Sequence, residues 1–147
     1  MKEHVVVVGA GQMGNGIAHV FAHAGFPVTM VDGSTDALAR ARATIEKNLA
    51  RQVEKGTIDA AAREAALGRL SVSTDLGAAS ECALVIEAAS ENPDLKFKLF
   101  AELDGIAPAD AILATNTSSI SITQIAGRTR RPDRVIGMHF MNPVPVM

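Results

Sequence analysis

The stretch His4-Val5-Val6-Val7-Val8-Gly9-Ala10-Gly11-Gln12-Met13-Gly14 decides the fold. Its first half is a continuous β-branched run that stops at glycine, the pattern of a strand buried on both faces. Its second half is G-x-G-x-x-G. From Gln12 to Ala24 the residues Ile17, Val20, Phe21 and Ala24 then share one helical stripe, which Gly25 closes. A glycine triplet alone is weak evidence, because that spacing arises by chance in loops. Between a strand and a helix it has a mechanism. Gly9 permits a tight turn, Gly11 lets the backbone approach a pyrophosphate, and Gly14 allows close packing of helix on sheet. The phosphates would lie on free N–H groups at the positive end of the helix, beside Ala10, Gln12 and Met13.

A second strand, Val28 to Val31, runs into Asp32, about 20 residues beyond the glycines, where a dinucleotide-binding unit places its ribose-binding acid. The Asp32 carboxylate can accept both hydroxyl protons of an adenosine ribose and would repel a 2′-phosphate. Gly33-Ser34-Thr35 offers no arginine to receive that phosphate, so the cofactor reads as NAD rather than NADP. Outward from this unit, short apolar runs alternate with helical segments. Ser34 caps a helix from about Thr35 to Lys55, stopped by Gly56, and Asp59 caps another to about Leu67. Leu70 to Ser73, Ala83 to Glu87, Ile112 to Thr115 and Arg134 to His139 read as strands, with helices from Pro93 to Leu103 and Ser121 to Ala126. The expectation is an α/β fold, a doubly wound parallel sheet of the Rossmann type with six strands in the order 3-2-1-4-5-6.

Bulk properties agree with one ordinary globular domain: 147 residues, 48% hydrophobic, 20% charged, formal net charge −2. A near-neutral balance gives no electrostatic case for nucleic acid, and Arg128, Arg130, Arg131 and Arg134 around Pro132 read as a solvated connection. No apolar stretch approaches the roughly 18 residues of a membrane span, and the first residues do not read as a signal peptide. With the single cysteine, Cys82, unable to pair internally, the expected setting is cytoplasmic. His19 and His23 have the i,i+4 spacing of a metal pair but lack a companion glutamate or third ligand. They read as solvent-side residues of the first helix, and no metal is expected. Ser118 with His139 could suggest a hydrolase, yet Thr117-Ser118-Ser119 is not a glycine-flanked nucleophile turn. Met138, Met141 and Met147 read as core or interface filler.

Several further runs go together: Val85-Ile86-Glu87-Ala88, Glu91-Asn92, Asn116-Thr117-Ser118-Ser119, Gly137-Met138-His139-Phe140-Met141-Asn142-Pro143, and the closing Pro143-Val144-Pro145-Val146-Met147. With the glycine loop they resemble the 3-hydroxyacyl-CoA dehydrogenase family, of the 3-hydroxybutyryl-CoA type, over essentially the whole chain. The resemblance implies an oxidoreductase of fatty acid β-oxidation chemistry that moves a hydride between C3 of a 3-hydroxyacyl-CoA and NAD. By that likeness His139 is the general base for the 3-hydroxyl, a task suited to an imidazole, whose ordinary pKa of about 6.5 lets it take and return a proton. Ser118 and Asn142 would hydrogen-bond the substrate oxygen, and Glu91 and Lys96 would contact the nicotinamide half of the cofactor. Lys55 and Asn48, the latter often serine in the family, would meet the coenzyme A part of the substrate. Each residue also has a plainer reading: Ser118 a helix cap, Asn142 a turn former, His139 a strand-end residue, Lys55 an exposed helix-end charge.

Family members continue into a helical domain that walls the substrate cleft and mediates dimerisation, and in the family pattern the carboxylate that orients the catalytic histidine lies on the strand just beyond Met147. Residues 1–147 therefore read as the NAD-binding domain alone, with a homo-oligomer expected through the further domain or the terminal segment. The alternatives are a non-catalytic NAD-binding module and an NAD-dependent dehydrogenase of another small hydroxy acid. A binding module would have no reason to carry Ser118, His139 and Asn142 together.

Overall fold

The computed structural model describes residues 3–141 and 143–146; Asn142 and Met147 lie outside the described residues. Six strands, β1 (Val5–Val8), β2 (Val28–Val31), β3 (Leu70–Ser73), β4 (Leu84–Glu87), β5 (Ile112–Thr115) and β6 (Val135–Gly137), form one parallel sheet ordered β3-β2-β1-β4-β5-β6. The expected order is met. Val8 pairs with both Val31 and Glu87, and Glu87 with Thr115, so β1, β2, β4 and β5 end level. The segments that leave them at Gly9, Asp32, Ala88 and Asn116 consequently share one edge, on either side of the crevice where the chain reverses direction across the sheet.

Side-chain alternation along β1 sorts the core into two layers. Val5 and Val7 pack with Ile17, Met30, Ile45 and Leu49 beneath α1 (Gln12–His23), α2 (Thr35–Glu54) and α3 (Ala60–Gly68). Val6 and Val8 pack with Phe100, Leu103, Leu113 and Ile125 beneath α4 (Pro93–Ile106) and α5 (Ile122–Ala126). Full burial of each such side chain contributes roughly 1.5–3 kcal/mol, which is why a four-residue valine strand can anchor the sheet. The caps expected at Ser34 and Asp59 accept from the N–H groups of Ala37 and Ala62, and Asn92 caps α4 ahead of Pro93. No helix among the described residues is long and apolar enough to cross a membrane.

Four expectations change. His19 is buried rather than solvent-side, because α2 crosses α1 there and Gln52 meets its ring. Ala24 is exposed, since α1 has ended and the chain is turning through Gly25. β6 stops at Gly137 instead of reaching His139; Met138 still donates its N–H to the Thr115 carbonyl, but the chain then leaves the sheet. Arg131 is no solvated connection. Its guanidinium is buried on the Asp104 carboxylate and on the carbonyls of Asp104, Ala107, Pro108 and Ala111, tying the C-terminus of α4 to the approach to β6.

Candidate active site and coenzyme clefts

The glycine loop is shaped by two close approaches. Gly9 has φ +107°, and a Cβ there would lie 2.7 Å from the Ala88 carbonyl oxygen, so a side chain is refused by both backbone conformation and space. A Cβ on Gly14 would lie 1.8 Å from the Gly9 carbonyl oxygen. The third glycine thus seats α1 against the loop carbonyl itself, more specifically than against the sheet. Gly11 is the opposite case: nothing stands within 4 Å of where its Cβ would be, and the residue is exposed. It also begins α1 without a side-chain cap, leaving the first-turn N–H groups free for an anion. This open cradle is what a pyrophosphate requires.

From Gly11 a cleft of about 560 Å³ runs past Val31, Asp32 and Gly33 to Leu95 and Leu99. One oxygen of Asp32 accepts from the Ala10 N–H at 2.9 Å and the other from the Ser34 N–H at 2.9 Å. These bonds clamp the glycine loop to the end of β2. Each oxygen keeps a lone pair for a ribose hydroxyl. Gln12 is exposed at the helix start, and Met13 turns toward the neighbouring cleft.

That neighbouring cleft, about 430 Å³, is lined by Met13, Ala88, Glu91, Asn116, Ser118 and His139 among others. Ser118 and His139 come from different strands, after β5 and after β6, and converge here with Glu91. Beneath them is a polar network that assigning roles along the sequence did not find. Glu87, fully buried at the end of β4, accepts from Lys96 Nζ at 2.6 Å, from the Ala89 N–H at 2.7 Å and from Thr115 Oγ1 at 2.7 Å. Lys96, equally buried, also reaches Glu91 at 3.3 Å. Glu91 in turn accepts from the hydroxyls of Thr117 (2.8 Å) and Ser119 (2.7 Å), the two neighbours of Ser118. Its partial burial works to raise the carboxyl pKa, but the Ser119 and Thr117 hydroxyls and the Lys96 charge outweigh that and hold it below the ordinary value. Asn116 Oδ1 accepts from the Phe140 N–H at 2.7 Å, which holds the segment bearing His139 over the cleft. The only hint in sequence was a charged residue closing an otherwise apolar strand, with a lysine one helical entry later.

The third group expected from sequence also assembles. Asn48 on α2 and Lys55 at its C-cap, spaced i and i+7, line a groove of about 620 Å³ with Arg51, Gln52, Pro143 and Pro145. His139 and Met141 line the cleft, and Pro143 and Pro145 line the groove. No three histidine, cysteine or acidic side chains converge among the described residues in a way that could hold a metal.

Residues 4–147 match the family described as 3-hydroxyacyl-CoA dehydrogenase, NAD binding domain. The chain belongs to this family. Its cofactor is NAD, in keeping with the open Gly11 cradle and the acid at position 32. Among relatives, the 3-hydroxybutyryl-CoA dehydrogenase of Bradyrhizobium diazoefficiens is 52% identical over 143 residues, which are 97% of this chain and 49% of that protein. The 3-hydroxyadipyl-CoA dehydrogenase of Escherichia coli is 48% identical over 143 residues, 97% of this chain and 30% of its own. The crystal structure of (S)-3-hydroxybutyryl-CoA dehydrogenase from Ralstonia eutropha superposes with a TM-score of 0.96 at 48% identity, covering 100% of this chain and 52% of that one. The chain spans about half the length of most of the curated relatives it matches.

Proposed function

We propose that this domain serves an NAD-dependent 3-hydroxyacyl-CoA dehydrogenase, acting on 3-hydroxybutyryl-CoA in the chemistry of fatty acid β-oxidation and giving the 3-keto product. The observation that carries the reading is the convergence of Ser118, His139 and Glu91 in a cleft next to the Gly11 cradle, with Asn48 and Lys55 along the adjoining groove. NAD, when bound, supplies the acceptor for the hydride from C3. Gly9, Ala10, Gly11, Gln12, Met13 and Gly14 shape its phosphate seat, Asp32 receives the ribose hydroxyls, and Glu91 borders the reactive end with Lys96 buried behind it. His139 takes the proton of the 3-hydroxyl, while Ser118 and Asn142 orient that oxygen, a positioning effect that fixes the reacting carbon. Lys55 and Asn48 hold the coenzyme A portion. The setting is cytoplasmic, and chains associate through a second, helical domain or through the exposed apolar residues Ile122, Ile136 and Met141.

Titration of the 147-residue chain with NADH, followed by calorimetry or fluorescence, tests the cofactor half: saturable binding is expected, and none would overturn the reading. Reduction of acetoacetyl-CoA by the same polypeptide should be negligible. No carboxylate among the described residues bonds His139, and loss of an orienting carboxylate from a histidine-based site costs about 10⁴ in rate. Near-normal turnover would show that the 147 residues are catalytically self-contained.

A further inference from the structure

His19 is a buried, half-satisfied histidine in the middle of an amphipathic helix. Only 2% exposed, it has one ring contact, Nε2 to the side-chain oxygen of Gln52 at 3.3 Å, and its Nδ1 is buried without a partner. A carboxamide oxygen only accepts, so Nε2 carries the ring proton and Nδ1 is bare. The reverse arrangement, with the amide turned over, would leave an Nδ1–H donor buried with nothing to receive it, the rarer and costlier outcome. Burial itself pushes the imidazole below its ordinary pKa, the bond to Gln52 and the charge of His23 being lesser influences.

With its oxygen held by His19, the Gln52 side chain keeps its NH₂ for the groove it lines. Asn48, Arg51 and Gln52 on α2 and Lys55 at its C-cap lie at i, i+3, i+4 and i+7, along one face, and every one of them can donate hydrogen bonds. Across the groove stand Pro143 and Pro145, whose rings offer no N–H at all. The backbone carbonyl of Gln52 accepts from the Thr57 N–H at 2.9 Å, so the same residue closes the turn at Gly56 beside Lys55.

We infer that His19 is a positioning residue for the acyl-CoA groove: by fixing the Gln52 carboxamide it presents an NH₂ donor, in line with Asn48 and Lys55, to the carbonyl oxygens of an extended pantetheine chain. This rests on the proposed function in taking the groove as the coenzyme A site. The donor wall suits the acceptor oxygens of the chain, and the proline wall suits its methyl and methylene groups. Phosphate oxygens at the nucleotide end are the other acceptors that could reach Gln52. A leucine at position 19 would fill the same space without leaving a nitrogen unpaired, yet it would leave the amide free to turn.

The test is nuclear magnetic resonance on the ¹⁵N-labelled 147-residue chain. The His19 ring should show the Nε2–H tautomer, and the Nδ1–H tautomer would overturn the inference. Coenzyme A and pantetheine should each shift the Gln52 side-chain NH₂ resonances, and adenosine 3′,5′-bisphosphate should not. Shifts by the bisphosphate alone would assign the donor to phosphate and overturn the pantetheine assignment. His19→Leu and Gln52→Leu should each weaken coenzyme A binding about fivefold while leaving NADH affinity unchanged. His19→Gln, which restores an N–H donor, should recover most of the loss. Gln52→Leu, at a half-buried helix position, keeps the test open if His19→Leu does not fold. Unchanged coenzyme A affinity in the folded variants, or no coenzyme A binding by a chain that does bind NADH, would sink the inference alone; failure to bind NADH would sink the proposed function.

Discussion

Gly11 and Gly14 make opposite demands on a side chain, and this separates binding from folding. A methyl group at Gly11 enters open space, where φ −78° and ψ −162° suit any residue, so Gly11→Ala should change stability by less than about 1 kcal/mol. It should nevertheless lower NADH affinity at least tenfold, because the methyl would occupy the place of the pyrophosphate. Gly14→Ala drives its Cβ into the Gly9 carbonyl and should cost about 3 kcal/mol or more of stability, at the upper end for overpacking, along with NADH binding. Urea melts beside NADH titrations check both. Asp32 argues similarly: replacing it by serine with arginine at Gly33 removes the charge that opposes a 2′-phosphate and adds one that attracts it. At roughly 1.5–3 kcal/mol per charge-assisted bond, the NAD:NADP affinity ratio should shift by about 10- to 100-fold, and an unchanged ratio would exclude Asp32 as the ribose contact.

Among the elements, the junction of α4 with the loop before β6 depends on Arg131. Its guanidinium satisfies the carbonyls of Asp104 and Ala107 at the C-terminus of α4 and that of Ala111 just beyond, and the side chain of its partner Asp104 is as buried. Arg131→Ala strands those acceptors and the carboxylate, which should cost about 3–5 kcal/mol in chemical denaturation with NADH affinity of the folded fraction unchanged. Asp104 also predicts the acid limb. Burial works to raise its pKa, but the Arg130 N–H and the Arg131 guanidinium more than offset this and hold it below the ordinary 3.8. A depressed carboxylate contributes stability that is present above 3.8 and is lost as pH falls through the folded value; Glu91, held below 4.5, acts with the same sign. His19, lowered from 6.5, binds its proton more readily when unfolded, so its contribution also declines as pH falls below 6.5. Stability should therefore fall from neutrality into acid, and Asp104→Asn should lower it at pH 7 while flattening its slope below about pH 4.

At the scale of the whole molecule, the sheet ends level and every functional residue leaves from that edge or from the helices beside it. Ile122 on α5, Ile136 on β6 and Met141 over the cleft are large apolar side chains left exposed. Exposed apolar side chains favour association. Light scattering of the 147-residue chain should show concentration-dependent self-association, reduced by Ile136→Lys, and a strict monomer at high concentration would contradict it.

The sequence by itself determined the strand order, from short apolar runs alternating with helical segments, and the glycine loop with its acid at position 32, from glycines that follow one strand and an aspartate that ends the next. The family likeness, carried by the runs around Ser118 and His139, implied Asn48 and Lys55 as well, and all four line the clefts, although Asn142 lies outside the described residues. Only the tertiary structure decided the rest. That Glu87 pairs with Lys96, that Arg131 is a buried staple and that His19 faces Gln52 depend on contacts between segments 9, 27 and 33 residues apart, which no periodicity along the chain encodes. A polar side chain reads as exposed in sequence because burial is costly without a partner, and the partner becomes visible only when two elements have crossed.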